Sequence, residues 1–154
     1  MAKTDFTGEF PVTLDTKNRF LFPAQLRKQI PAQARETFML LRSTDKCLVL
    51  YAIHDWNILS QTVRRISHFN QENLDALRFL FDGATRVKID PAGRIMIPKN
   101  LLQYAGIKKD MLIKAFLNRI ELWDEKTFYA YRKKNVVGMQ RKIQKVLGGM
   151  TFEW

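Results

Sequence analysis

A five-residue phrase occurs twice in this chain, and the repetition sets the fold question. Asp15-Thr16-Lys17-Asn18-Arg19 returns 75 residues later as Asp90-Pro91-Ala92-Gly93-Arg94. At that offset Phe6 matches Phe81, Gly8 matches Gly83, Val12 matches Val87 and Leu14 matches Ile89. Pro23 matches Pro98, Leu26 matches Leu101, and Phe20-Leu21-Phe22 answers to Ile95-Met96-Ile97. After a three-residue gap, Leu48-Val49-Leu50-Tyr51 corresponds to Ile120-Glu121-Leu122-Trp123. Matching over such a span is an internal repeat. A copy of about 50 residues is marginal alone, because small domains bury too little of their surface. The two copies in these 154 residues are therefore expected to share one core or to exchange elements.

The local pattern within each copy is mostly strand. Phe10, Val12 and Leu14 alternate along Glu9 to Leu14, and Pro11 marks an edge strand or a strand start, since it cannot donate a ladder hydrogen bond. Thr16-Lys17-Asn18 is a turn. Asn18 and Gly93 hold the same place in the two copies, which predicts positive φ there in both. Phe20-Leu21-Phe22 is a short apolar strand, and Pro23 opens a helix expected to run through Leu26 towards Ile30. Strands at Phe38 to Leu41 and Cys47 to Tyr51 close the first copy. The second copy follows suit: a strand over 84–89, the turn, Ile95-Met96-Ile97, a helix from Pro98 to Gly106, then strands at 111–116 and 119–123. Asp124 caps a helix bearing Phe128 and Tyr131.

Between the copies, Trp56, Leu59, Val63 and Ile66 step at helical spacing, and so do Leu74, Leu77, Leu80 and Phe81 after an Asn70 cap. These stripes predict packing between the repeats or against a neighbouring chain. The expected organisation is a first repeat over 5–54, a helical connector over 55–82, a second repeat over 83–128 and a basic tail over 129–154, with a short amphipathic helix from about Met139.

The formal net charge is +11. It sits on both repeats and the tail, while the connector is slightly acidic. That distribution points to a polyanionic partner, and nucleic acid is the usual one. The motif suits it. Each turn brings an aspartate at the end of one strand within reach of an arginine at the start of the next. An arginine fork recognises guanine O6/N7 or phosphate, and an aspartate beside it fixes the fork. Lys17 adds a point charge where copy two has Ala92, so the copies should not read DNA equally. The plain alternative is an ion pair that only staples a hairpin.

Two Asp-x-x-x-Arg motifs, each followed by a short apolar strand and a proline-opened helix, resemble the MraZ family. Asp90 to Pro98, Leu102-Gln103-Tyr104-Ala105-Gly106-Ile107 and Ile120-Glu121-Leu122-Trp123-Asp124 are similar to its second repeat, and the likeness covers about residues 5–130. The resemblance implies an α+β, β-rich fold of two AbrB/SpoVT-type swapped hairpins forming an internal pseudo-dimer. It also implies a ring-shaped homo-oligomer and a transcriptional regulator that binds double-stranded DNA at direct repeats upstream of the division and cell-wall gene cluster. Carried onto this chain, it makes Arg19 and Arg94 the main DNA contacts, Asp15 and Asp90 their orienting partners, and Lys17 and Asn18 further contacts. Asn18 departs from the glycine common in that family.

The competing reading is a ring-shaped scaffold whose basic face docks an acidic protein. An enzyme is disfavoured. His54 and His68 lack metal-helix spacing, no Gly-rich phosphate loop occurs, and the single cysteine, Cys47, lies in an apolar run as a buried thiol. No cofactor, metal or membrane partner is expected. The first residues lack the apolar stretch of a signal peptide, so a cytoplasmic, nucleoid-associated protein is expected.

Overall fold

The computed structural model describes residues 3–149. In chain order the elements are β1 (Phe6–Thr13), β2 (Arg19–Leu21), α1 (Ala24–Arg27), β3 (Thr37–Arg42), β4 (Leu48–Ala52), α2 (Ile53–Arg64), α3 (Gln71–Leu80), β5 (Thr85–Lys88), β6 (Arg94–Met96), α4 (Lys99–Ala105), β7 (Asp110–Leu117), β8 (Arg119–Asp124), α5 (Glu125–Asn135) and α6 (Met139–Val146). Each repeat thus contributes four strands and one short proline-opened helix.

The pairing shows how the repeats combine. The large sheet runs β1-β7-β8-β4-β3-β5, all antiparallel, and β2 pairs with β6 in a separate two-stranded ribbon. Exchange each strand for its repeat equivalent and the order reads the same backwards. β1 of repeat one pairs with β7 of repeat two, and β5 of repeat two pairs with β3 of repeat one. The hairpins are swapped across a pseudo-twofold axis that passes between β4 and β8 and through the ribbon. This is the α+β internal pseudo-dimer that the family resemblance implies. Pro11 sits in β1, an edge strand, where its missing N–H costs no ladder bond.

One core serves the two halves. Phe6, Phe20, Phe38, Leu40, Leu48 and Leu50 from the first repeat mix with Ile95, Ile97, Leu101, Met111, Ile113 and Leu122 from the second. Each is essentially sealed from solvent. Fully burying one such side chain contributes roughly 1.5–3 kcal/mol. Neither half encloses this core alone, which is the physical reason the swap holds.

Two details differ from the sequence expectation. α1 is a single turn, Ala24–Arg27, and does not reach Ile30. Gln29, which the expected helix would include, instead folds back: its amide oxygen accepts from the Thr7 N–H and its amide nitrogen donates to the Thr7 carbonyl. The connector is helical, but its apolar stripes are only partly covered. Trp56 is buried against Tyr51 and Phe81, whereas Ile66, Leu80 and Phe81 of the stripes, and Ile58 and Phe69 outside them, are exposed. α3 is tied down mainly by Arg42. Its Nε donates to the Phe79 carbonyl at 2.7 Å, and its guanidinium stacks on the Phe79 and Tyr104 rings.

The expected tail, 129–154, begins inside α5, and in the last turn of that helix Arg132 reaches Glu9 and stacks on Phe128. α6 follows where the amphipathic pattern placed a helix, with Met139, Ile143 and Leu147 on its less exposed face. The end of the expected tail, residues 150–154, lies outside the described residues.

Candidate nucleic-acid interface

The two motif turns share a backbone design. The Asp15 N–H donates to the Arg19 carbonyl at 2.8 Å, and the Asn18 N–H donates to the Asp15 carbonyl at 3.1 Å. The equivalent bonds at Asp90, Arg94 and Gly93 measure 2.9 Å each. Asn18 has φ of 61° and Gly93 has φ of 81°, the left-handed geometry anticipated from their shared place. In each turn one carboxylate oxygen accepts two backbone N–H bonds. Asp15 Oδ1 takes those of Lys17 and Arg19, and Asp90 Oδ1 takes those of Ala92 and Arg94, all at 2.9 Å. The aspartate's first task is therefore to shape the turn.

The swap brings the two turns into one site. In the ribbon Arg19 lies opposite Met96, Phe20 opposite Ile95 and Leu21 opposite Arg94. Bonds from the Ile97 N–H to the Asn18 carbonyl and from the Phe22 N–H to the Gly93 carbonyl extend the pairing into each turn. One turn closes each end of the ribbon. Phe20 and Ile95 point into the core, so Arg19 and Arg94 share the outer face. As diagonal neighbours their Cα atoms are roughly 7–8 Å apart.

Their partners differ. Arg19 Nε donates to Asp15 Oδ2 at 2.9 Å, and the pair is partly exposed. Asp15 is held below the usual carboxylate range, chiefly by the Arg19 backbone N–H, with the Lys17 N–H and the Arg19 guanidinium adding to it. The sequence predicts the same side-chain pair between Asp90 and Arg94. It does not form: among the described residues Arg94 makes no ion pair. A cation of the other repeat also borders this turn. Arg27 of α1 comes beside turn two, its Nη1 3.4 Å from where a Cβ on Gly93 would sit, and its field reaches Asp90. Arg27 itself is paired with Glu36, whose carboxyl it holds down.

Further cations border the ribbon that motif reading did not single out. Lys99 and Lys108 line a 390 Å³ cleft with Asn18 at turn one. Arg27, Arg35 and Lys88 line one of 530 Å³ on the turn-two side. Net charge alone hinted at them; the swap places all of them beside the turns except Lys88, which precedes Asp90 by two residues. Lys17 and Thr16 project at the exposed tip of turn one, and Pro91 and Ala92 at that of turn two.

The residues outside this face behave as structural groups. Cys47 is sealed, and burial pushes its thiol up to about 12. His54 opens α2, its Nε2 2.8 Å from the Thr4 hydroxyl. His68 lies in the turn between α2 and α3. Among the described residues no group of three or more His, Cys, Asp or Glu side chains gathers as a metal site, and no helix is long and apolar enough to cross a membrane.

An α+β pseudo-dimer of two swapped-hairpin repeats, with a paired arginine motif on its outer ribbon, defines the class of protein. The family model described as "MraZ protein, putative antitoxin-like" matches it twice, over residues 6–79 and 80–144. The chain belongs to the MraZ family. The protein named transcriptional regulator MraZ from Clostridium tetani is 34% identical over 131 residues, covering 85% of this chain and 89% of that one. The protein of the same name from Caldicellulosiruptor bescii is 32% identical over 139 residues, covering 90% and 94%. That from Christiangramia forsetii is 28% identical over 147 residues, covering 95% of each.

Proposed function

We propose that this chain is a sequence-specific DNA-binding transcriptional regulator. It acts as a repressor at direct repeats upstream of the division and cell-wall gene cluster, on the nucleoid. One observation carries the reading: two arginines from separate repeats stand together on the outer face of a two-stranded ribbon. A ribbon of that width suits a major groove about 12 Å wide, where an arginine fork reaches guanine O6/N7. Asp15 and Asp90 shape the turns, Arg19 and Arg94 contact bases, and Lys17 and Asn18 contact the backbone beside turn one. Lys99, Lys108, Arg35 and Lys88 lie where phosphates would pass.

The working unit is a ring-shaped homo-oligomer. The open apolar side chains of the connector, Ile58 and Phe69 among them, support a subunit interface there. Repeated sites on a ring would gain by avidity what one ribbon lacks.

The test is fluorescence anisotropy with two labelled duplexes, one carrying spaced direct repeats from upstream of the gene cluster and one scrambled, at two salt concentrations. Tight binding to the repeat duplex is expected, with log K falling by about 0.9 per neutralised phosphate for each log unit of salt. Arg19→Ala and Arg94→Ala should each cost about 1–3 kcal/mol. Equal binding to the two duplexes would leave a nonspecific nucleoid protein. Binding to neither would favour the scaffold.

A further inference from the structure

Arginines cover only half of the ribbon's outer face. Leu21 and Met96 share it, 62% and 61% exposed, while Phe20 and Ile95 beside them are sealed in the core. The register sets each apolar side chain directly across from an arginine: Met96 faces Arg19 and Leu21 faces Arg94. The result is a two-by-two patch in which cation and apolar group alternate along and across the strands. Single exposed apolar residues are ordinary. Here, however, each repeat places one at the same position, 75 residues apart, on the face that carries the arginines. Leu21 also leans on the second turn, its Cδ1 3.4 Å from where a Cβ on Gly93 would sit.

We infer, building on the DNA-binding reading above, that Leu21 and Met96 are specificity-determining residues that pack on thymine C5-methyl groups in the major groove. Thymine is the base that shows a methyl group there, and apolar contact is how proteins read it. Cβ atoms paired across the strands lie roughly 4.5–5.5 Å apart. An arginine and its apolar neighbour therefore reach adjacent bases, which favours guanine beside thymine. The ribbon's pseudo-twofold presents the second pair in reverse order. Methionine is unbranched and adapts its shape, so the Met96 end should tolerate more variation in its base pair than the Leu21 end.

The experiment begins with duplexes enriched from a random library by the full chain. Thymines in the enriched duplex are then replaced with uracil, which removes the methyl group alone. Wild type should bind the uracil duplex roughly fourfold more weakly per contacted methyl. The Leu21→Ser/Met96→Ser double variant should bind the two duplexes equally, while keeping its salt dependence and an unchanged melting temperature. The inference is overturned if wild type ignores the substitution, if the variant still discriminates, or if the enriched duplex lacks A·T pairs beside its guanines. Failure to enrich any duplex, with no salt-dependent binding at all, would remove the DNA-binding reading and the inference with it.

Discussion

In the first repeat Arg19 is clamped to Asp15; in the second, Arg94 stands free of its aspartate although the turn backbones match bond for bond. The two turns also differ at one position in the neighbouring repeat. Arg27 and Leu102 are equivalents 75 residues apart. The swap lays α1 with Arg27 against turn two and α4 with Leu102 against turn one. Turn two therefore has an arginine packed beside it where turn one has an apolar side chain. A motif's own residues set its backbone, and the same backbone is compatible with two side-chain arrangements.

The largest test of the comparison concerns what the repeats share. Phe20→Ala and Ile95→Ala remove equivalent side chains beneath the two ends of the ribbon. Each should cost about 3–5 and 2–5 kcal/mol respectively. Because the core is common, urea unfolding of either variant should remain one transition. A separate transition for one repeat would show that the halves fold independently.

Next in size is the difference between the arginines in DNA affinity. Arg19 is already oriented by Asp15, so less freedom is lost when it binds. Within the range of about 1–3 kcal/mol, Arg19→Ala should cost more than Arg94→Ala. Equal losses at matched salt would show that the clamp has no part in binding. Arg27→Leu should then let Arg94 pair with Asp90 and narrow the gap.

A smaller effect distinguishes the turns' positive-φ residues. Gly93→Ala should destabilise by about 1 kcal/mol, because φ of 81° disfavours a Cβ. Asn18→Gly should change stability by only a few tenths of a kcal/mol, since either residue tolerates that geometry. Thermal melts would read this, and a large loss for Asn18→Gly would point to a side-chain role for the asparagine.

The smallest effect is one of pH. The folded Asp15 carboxyl titrates below its ordinary value of 3.8, so near that pH the folded chain binds fewer protons than the unfolded one. Its contribution is full above about pH 4 and disappears as the pH falls through the folded value. Glu36, held down by Arg27, acts with the same sign. Melting temperatures from pH 5 to pH 2 should therefore fall less steeply in Asp15→Asn than in wild type. Parallel slopes would contradict this.

Much of this was legible in the sequence. The repeat offset gave the equivalence of the strands, the Asn18–Gly93 match gave the turn geometry, and the apolar runs Phe20-Leu21-Phe22 and Ile95-Met96-Ile97 were read as short strands without a face assigned. Strand partners were not legible, because period-two alternation assigns a face and says nothing of which neighbour supplies the ladder. The same blind spot hid the neighbours of each turn, since Arg27 comes beside Gly93 only through the swap. α1 was overextended because Pro23 marks a helix start and nothing before Ile30 marks a stop, while the bonds of Gln29 to Thr7 are a tertiary contact that the local sequence does not show.

The swapped ladder also imposes a timetable. Phe6 of β1 pairs with Leu117 of β7, so the first strand made has no partner until almost the whole pseudo-dimer has been synthesised. At about 5–20 residues per second that delay is roughly 5–20 s on the ribosome. Throughout it, a nascent chain carries a half-apolar strand with both edges open, the state in which strands from neighbouring chains pair most readily. For this architecture the pace of translation and the crowding of polysomes bear on yield as much as the stability of the finished fold does.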